Sequence, residues 1–287
     1  MNKWEYYLNK YRNERDFQPE LWIYDKCIKF NDYLKKHNLS GAVLSISGGI
    51  DSAVTLALLK YTKCLENSNL KKIYAVNQPI HSSNWAYERA KDLCVELEVD
   101  MITINQTDIH NNITNLVKSK LNYESNDFSK GQLRSYMRTP INYYLAQTLS
   151  EQGFPAIVMG TGNMDEDGYL AYFCKYGDGA VDVQLISDLH KSEVFKVGKY
   201  LEIPDSILNA PPSADLWDGQ EDEEELGFSY DFIEFYTKYY LKLDDNSKNE
   251  LLEGLDDNSK KEFNEYSEKC TLIHNRNKHK INGVINL

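Results

Sequence analysis

The chain has 287 residues, 41% of them hydrophobic and 26% charged, with 32 Lys+Arg against 44 Asp+Glu and a formal net charge of −12 at pH 7. This composition supplies enough apolar side chain for a packed core and excludes global disorder, while the negative charge argues against nucleic-acid binding, which takes a basic surface. No apolar run approaches the roughly 20 residues of a membrane helix, residues 1–17 lack the apolar stretch of a signal peptide, and five cysteines with no C-x-x-C pair fit free thiols in a reducing cytoplasm.

In chain order, residues 1–40 read as helical. Gly41–Ile46 is a short apolar run that enters a tight loop at Ser47-Gly48-Gly49, and Ser52–Leu59 has helical composition, so the unit is strand, loop, helix. Lys72–Val76 is a second strand candidate, and Ser83 opens a helix through Glu96 with Ala86, Ala90, Leu93 and Leu97 at helical spacing. Val99–Ile104 is a third strand, Pro140–Gln152 a helix with proline near its first turn, Pro155–Gly160 a fourth strand, and Lys191–Leu201 a helix closed by Pro204. The tail after Asp231 again reads as helical. Strands alternating with helices across short loops predict an α/β fold with a doubly wound parallel sheet, in which ligands bind outside the carboxyl ends of the strands at the topological switch point. The organisation expected is one unit, with a helical segment 1–40, an α/β core 41–230 and a helical acidic region 231–287.

The acidity is regional. Residues 215–268 hold 18 acidic and five basic side chains, and the rest of the chain is within one charge of neutral. The stretch reads as a solvated lid or flank. Within it Leu243–Lys248 recurs as Leu255–Lys260, both LDDNSK. A calcium loop starting at Asp244 would need glycine at its sixth position and glutamate at its twelfth, where Asn249 and Leu255 stand, so the repeat reads as a pair of helix N-caps.

The strongest local signal is Ser47-Gly48-Gly49-Ile50-Asp51-Ser52. Two glycines let the backbone approach an anion closely, the amides entering a helix point outward as donors, two hydroxyls flank them, and Asp51 can hold a divalent cation. No Gly-Lys-Ser/Thr follows, which excludes a Walker A loop. The segment resembles the pyrophosphatase loop of the N-type ATP pyrophosphatases, which cleave ATP to AMP and pyrophosphate while adenylating a substrate. Further blocks narrow the resemblance to the NAD synthetase family: Gly160–Glu166, Lys175–Asp182, Ile186–Lys191, Pro212–Trp217, Asp222–Asp231 and His279-Lys280, together spanning about residues 20–282 in order.

The resemblance implies a Rossmann-like sheet flanked by helices and an ATP-dependent amidation. The carboxylate of deamido-NAD attacks the α-phosphorus of ATP, pyrophosphate leaves, and ammonia displaces AMP from the acyl-adenylate to give NAD. It implies ATP contacts from Ser45, Ile46, Ser47, Gly48, Gly49, Ile50, Asp51, Ser52, Thr161, Lys191 and Ser213. Mg²⁺ would be held by Asp51 and Glu166, and Asp51 and Lys191 would form the catalytic pair. Deamido-NAD would meet Lys175, Asp182, His279, Lys280 and one of Arg134 and Arg138. A homodimer is implied as well. With only about 40 residues before the loop there is no room for an amidase domain, so free ammonia is the expected nitrogen source. The sequence departs from the family pattern on the deamido-NAD side: Ala180 follows Gly179, one extra residue lies between Glu166 and Lys175, and Arg134 and Arg138 are four apart rather than two. Ser213 stands in place of the usual threonine. His81 and His190 read as structural or surface residues. Two other readings are another adenylating ATP pyrophosphatase, such as an amidotransferase or tRNA-modifying enzyme, and a nucleotide sensor without catalysis. The missing basic patch argues against the first, and joint retention of Asp51, Glu166 and Lys191 against the second.

Overall fold

The computed structural model describes residues 3–213 and 221–286. Helices α1 (Lys3–Arg15) and α2 (Pro19–Lys36) lead into β1 (Gly41–Ser45), α3 (Ile50–Cys64), β2 (Lys72–Asn77), α4 (Asn84–Glu96), β3 (Met101–Thr103), α5 (Thr107–Leu121), α6 (Asp127–Glu151) and β4 (Ala156–Gly160). A π-turn at Met164–Tyr169 precedes β5 (Val183–Gln184), α7 (Lys191–Tyr200), α8 (Asp205–Leu208), α9 (Asp222–Leu226), α10 (Tyr230–Lys238), α11 (Asp245–Gly254) and α12 (Asp257–Asn277). The strands form a parallel sheet in the order β3-β2-β1-β4-β5, with Ser45 beside Val76 and Leu44 beside Met159.

The chain builds outward from β1 through β2 to β3, then crosses back to place β4 and β5 on the other side. The switch point therefore lies between β1 and β4, and the loops that leave these two strands face each other across it. β1 is apolar at successive positions because helices cover both faces of the sheet. One face packs Leu44, Leu56 and Ile157 with side chains of α2, α3 and α7, and the other packs Val43, Val76 and Val158 against Ala146 and Leu149 of α6.

Three elements differ from the expectations. The α6 helix starts 13 residues upstream of Pro140, which sits mid-helix. Asn126 caps it, its Oδ1 accepting Ser129 N at 2.9 Å, and packing against β1 and β4 carries the helix through the proline. The α5 helix was not anticipated from the sequence, and neither was the two-residue edge strand β5. The LDDNSK repeat does cap helices: Asp244 Oδ1 accepts Ser247 N at 2.8 Å before α11, and Asp256 Oδ1 accepts Ser259 N at 3.0 Å before α12.

A second, aromatic core joins the two ends of the chain. Trp4 of α1 stacks on Phe235 and meets the edge of Phe232 in α10, and Phe263 of α12 closes the cluster. Arg12 of α1 grips Glu234 through Nη2 at 2.6 Å and Nε at 3.1 Å, and reaches Asp231 at 2.6 Å. The acidic region is therefore not simply a solvated flank, because Glu234 and Asp222 are both buried. Helix α1, remote in sequence, supplies the cation that makes the burial of Glu234 tolerable.

Burial pushes the Glu234 carboxyl up, but its hydrogen bonds and charge pairing with Arg12 outweigh this and hold it below the usual range. A carboxyl depressed by folding contributes stability above its unfolded pKa, and that contribution is lost as pH falls through the folded value. Arg12→Met is thus expected to destabilise the protein by about 3 kcal/mol at pH 7, since it strands a buried carboxylate. The deficit should be smaller below about pH 4, as Glu234 of the unfolded chain and then of the unaltered folded protein takes up its proton. Urea denaturation of both proteins at the two pH values measures it.

Candidate active site

The loop after β1 is shaped by its glycines and serines. Gly48 has φ of +85°, and a Cβ there would lie 2.3 Å from the carbonyl oxygen of Ala86, so both backbone angle and space demand glycine. Ser47 Oγ accepts Gly49 N at 3.2 Å and lies 3.1 Å from Ser52 Oγ, which also takes Ser47 N at 3.3 Å. The hydroxyls thus brace a turn whose amides open toward the start of α3. Beneath it, a chain of amides that sequence reasoning missed forms the floor. Asn142 Oδ1 accepts from Ser45 Oγ at 3.0 Å and Gln78 Nε2 at 2.7 Å, and Gln78 Oε1 accepts from Gln106 at 2.7 Å. No motif marks these residues, because each comes from a different element.

Asp51 in the first turn of α3 meets Glu166 from the π-turn after β4 and Lys191 from the first turn of α7. Lys191 Nζ donates to Asp51 Oδ2 at 2.6 Å and to Glu166 Oε1 at 2.7 Å, and lies 4.9 Å from the centre of the Tyr230 ring. Asn163, fully buried, ties the two acids together: its Nδ2 donates to Asp51 Oδ1 at 2.9 Å and its Oδ1 caps the π-turn by accepting Asp165 N and Glu166 N at 3.1 Å. Tyr230 OH donates to Glu166 Oε1 at 2.6 Å and to Asp222 Oδ2 at 3.1 Å, while Asp222 Oδ1 has no hydrogen-bond partner among the described residues.

The electrostatics follow from burial. Burial and the charge of Glu166 push the Asp51 carboxyl up against the pull of Lys191. Burial pushes Glu166 up too, but Lys191 and the hydrogen bonds from Lys191 and Tyr230 hold it below its ordinary value. Burial would lower the Lys191 ammonium, yet Asp51, Glu166 and Asp222 together hold it well above the usual lysine range. Burial and Glu166 push Asp222 up to about 6. One buried cation thus serves two half-buried carboxyl groups and the buried Asp222, and oxygen donors of this kind fit Mg²⁺.

The other sequence-predicted residues divide into groups. Ser45, Ile46, Ser47, Ser52, Thr161 and Arg138 line one cavity of about 150 Å³ between the carboxyl ends of β1, β2 and β4, and Ile50 packs into the core below it. Arg138 Nε also reaches Gln78 O at 3.4 Å. Arg134 instead lines a separate polar cavity with His81, His110 and Lys130, which separates the two arginines that the sequence left as alternatives. Asp182 is held by the fold, its Oδ2 accepting Val158 N at 2.8 Å and its Oδ1 accepting Tyr143 OH at 3.1 Å.

Lys280 Nζ donates to Ala171 O at 3.2 Å and Phe173 O at 2.8 Å, and Lys175 Nζ donates to Gly283 O at 2.6 Å. His279 is exposed beside them, with Nδ1 3.0 Å from Arg276 O. Ser213 is the last residue described before a gap, and Ala214–Trp217 of its block lie outside the described residues. His190 proves to be buried, with Nδ1 2.8 Å from Asp165 Oδ1 and Nε2 3.0 Å from Tyr11 OH, whereas His81 is exposed and contacts Asn111. The stretch between Glu166 and Lys175, where the sequence carries one extra residue, begins in the π-turn, which leaves helical geometry at Gly168 (φ −72°, ψ −106°).

A glycine-rich strand–helix loop at the switch point, faced by a carboxylate–lysine cluster and, among the described residues, by no thiol or serine–histidine pair, is the architecture of a nucleotide-handling α/β protein. Residues 23–282 match the family model described as NAD synthase, and the chain belongs to that family. It is 34% identical over 210 residues to the NH(3)-dependent NAD(+) synthetase of Picrophilus torridus, covering 72% of this chain and 78% of that protein. Over 213 residues it is 35% identical to the synthetase of the same description from Mesoplasma florum, covering 74% and 82%. Among solved structures, NMN synthetase from Francisella tularensis superposes with a TM-score of 0.74 at 29% identity, covering 94% of this chain and 99% of that one. The NH3-dependent NAD synthetase from Campylobacter jejuni shares the fold, with a TM-score of 0.68 at 23% identity and the same coverage.

Gly48→Ala tests the loop. The methyl group cannot be accommodated beside Ala86 O, and the positive φ adds ~1–3 kcal/mol of strain. The expected outcome is a lowered melting temperature together with loss of the stabilisation that an ATP analogue gives the unaltered protein, both read in one thermal-shift titration.

Proposed function

We propose that the chain is an ammonia-dependent NAD synthetase. The observation that carries the reading is the Asp51–Lys191–Glu166 cluster set against the serine–glycine loop. In this mechanism the amides and hydroxyls of Ser47–Ser52 cradle the phosphates of ATP, with Ile46 and Thr161 beside the nucleoside. Ser213 contributes a further hydroxyl to the nucleotide. Mg²⁺, which Asp51 and Glu166 would hold, supplies charge neutralisation for the leaving pyrophosphate. Lys191, kept protonated by its carboxylates, offers its ammonium to the same phosphates, so that charge developing in the transition state meets a preorganised cation. The carboxylate of deamido-NAD, steered by Arg138 and by the segment carrying Lys175, His279 and Lys280, attacks the α-phosphorus, and ammonia then displaces AMP. No enzyme nucleophile is needed, so positioning and exclusion of water account for the rate.

A second reading has a specific observation behind it. The solved NMN synthetase is 29% identical over nearly its whole length, and the departures noted in the sequence fall on the side that takes the acid substrate. The same chemistry on nicotinic acid mononucleotide would give NMN. Product analysis decides between them: the unaltered protein with ATP, Mg²⁺ and ammonium is expected to form NAD and AMP from deamido-NAD with higher kcat/KM than it forms NMN from the mononucleotide. Asp51→Asn and Lys191→Met should each lower kcat by ~10²-fold or more. AMP formation with neither nucleotide would sink the synthetase reading, and a preference for the mononucleotide would replace the first substrate by the second.

The proposal includes a cytoplasmic homodimer formed as one unit from residues 1–287. All five cysteines are free thiols, and among the described residues no helix is long and apolar enough to cross a membrane. Helix α5 leaves Ile109, Leu116, Val117 and Leu121 exposed at helical spacing, next to exposed Tyr123 and Phe128, an apolar face of the kind that marks an interface. Leu116→Glu combined with Leu121→Glu is expected to convert a dimer into a monomer by light scattering; a monomeric unaltered protein overturns this part.

A further inference from the structure

Helix α1 precedes the residues that the NAD synthase model matches, which start at 23, yet it ends in the polar layer directly behind Lys191. Tyr11 OH lies 3.0 Å from His190 Nε2, His190 Nδ1 lies 2.8 Å from Asp165 Oδ1, and Asp165 Oδ2 accepts the backbone N–H of Lys191 at 2.8 Å. His190 and Asp165 are 0% and 2% exposed. Each oxygen of Asp165 and each ring nitrogen of His190 therefore has one assigned partner in a buried layer, an arrangement that fixes ring orientation and tautomer. Asp165 is also the neighbour of Glu166, and its own N–H is held by Asn163. One carboxylate thereby joins the two backbones that bring Lys191 and Glu166 together.

Asp165, His190 and Glu234 have donor atoms close enough to hold a cation, but a metal is not what the layer is built for. Arg12 already takes both oxygens of Glu234, and each donor of Asp165 and His190 is matched to a protein group. From α1, Arg15 adds a second clamp by pairing with Glu193, whose Oε2 accepts His190 N at 3.0 Å.

We propose that Tyr11, His190 and Asp165 are positioning residues for Lys191, so that the N-terminal helix is a working part of the nucleotide site. The inference rests on the synthetase reading for its kinetic test and on ATP binding alone for its second test. Loss of the Tyr11 hydroxyl frees the His190 ring, loosens Asp165 and lets the Lys191 ammonium drift from the place where it meets phosphate. A displacement of that kind far from the reacting atoms is enough to slow catalysis.

The test is Tyr11→Phe, which removes one oxygen, beside Tyr7→Phe on the same helix as control. Tyr11→Phe is expected to lower kcat for AMP formation on the order of tenfold while KM for the nicotinate nucleotide stays within about twofold. It should also weaken binding of α,β-methylene-ATP with Mg²⁺ by calorimetry, while Tyr7→Phe matches the unaltered protein in both. Asp165→Asn should have the larger effect, and the double variant should be no slower than Asp165→Asn alone, because the two act through one chain of bonds. Additive losses overturn the proposal, as does a Tyr11→Phe protein within twofold of the unaltered one in both assays. If Tyr11→Phe does not fold, His190→Gln is read against the same criteria. Should the unaltered protein make AMP from neither nicotinate nucleotide, the synthetase reading fails and the analogue-binding comparison still decides this one.

Discussion

The structure depends on one shared ammonium. Asp51 comes from the helix after β1, Glu166 from the turn after β4 and Lys191 from the helix after β5, so the Lys191 charge spans the switch point of the sheet. Remove it and two half-buried carboxylates face each other with Asp222 close behind, an arrangement that would cost several kcal/mol or force protonation. The cation is shared unequally, since Asp51 is pushed up and Glu166 held down. Tyr230 accounts for part of the difference, because it donates to Glu166 and offers its ring face to Lys191. The result is a site whose charge is set by its geometry, not by the net charge of −12 that the whole chain carries.

Most of the scaffold was legible in the sequence for a simple reason. In a parallel sheet covered on both faces, strands read as apolar runs, and glycines follow β1 and β4, so β1, β2 and β4 and the loop at Ser47 announce themselves. What was not legible depended on tertiary partners. Pro140 reads as a helix start, and only the packing of α6 on β1 and β4 carries that helix through it. The acidic run reads as solvated surface until Arg12 arrives from α1 to pair with Glu234 and Tyr230, within the run itself, folds onto Asp222. His190 gave no signal of its role, because its partners Tyr11 and Asp165 lie 179 and 25 residues away.

The same logic explains why the ends of the chain meet. A helix as polar as α1 has little reason to be stable alone, and it is held by an aromatic cluster with α10 and α12 and by two arginines that point inward. Both arginines pair with carboxylates whose other hydrogen bonds belong to the start of α7: Glu234 accepts from Ser192 and Glu193 from the His190 amide. Docking α1 and presenting Lys191 are one packing event, which accounts for buried charge in a place where apolar side chains would have packed more cheaply.

The two halves of the proposed reaction are built differently, and this bears on how such a protein comes to choose its acid. The nucleotide half is local: a loop, a strand end and a capped turn within a few residues of one another in each element. The other half is assembled from distant pieces. The end of α12 lays His274 flat on Tyr169, with ring centroids 4.2 Å apart, and sends Asn277 to Leu170 O and Lys280 to Ala171 O and Phe173 O. The segment leading to Asp178 is thus held through its own carbonyls by the C-terminal helix, and Asp178 in turn holds Ser135 at 2.7 Å, one turn from Arg138. Under the proposed function, adenylation would thus rest on the loop and the cluster around Asp51 and Lys191, and acid recognition on the docking of the C-terminal segment against residues 170–173.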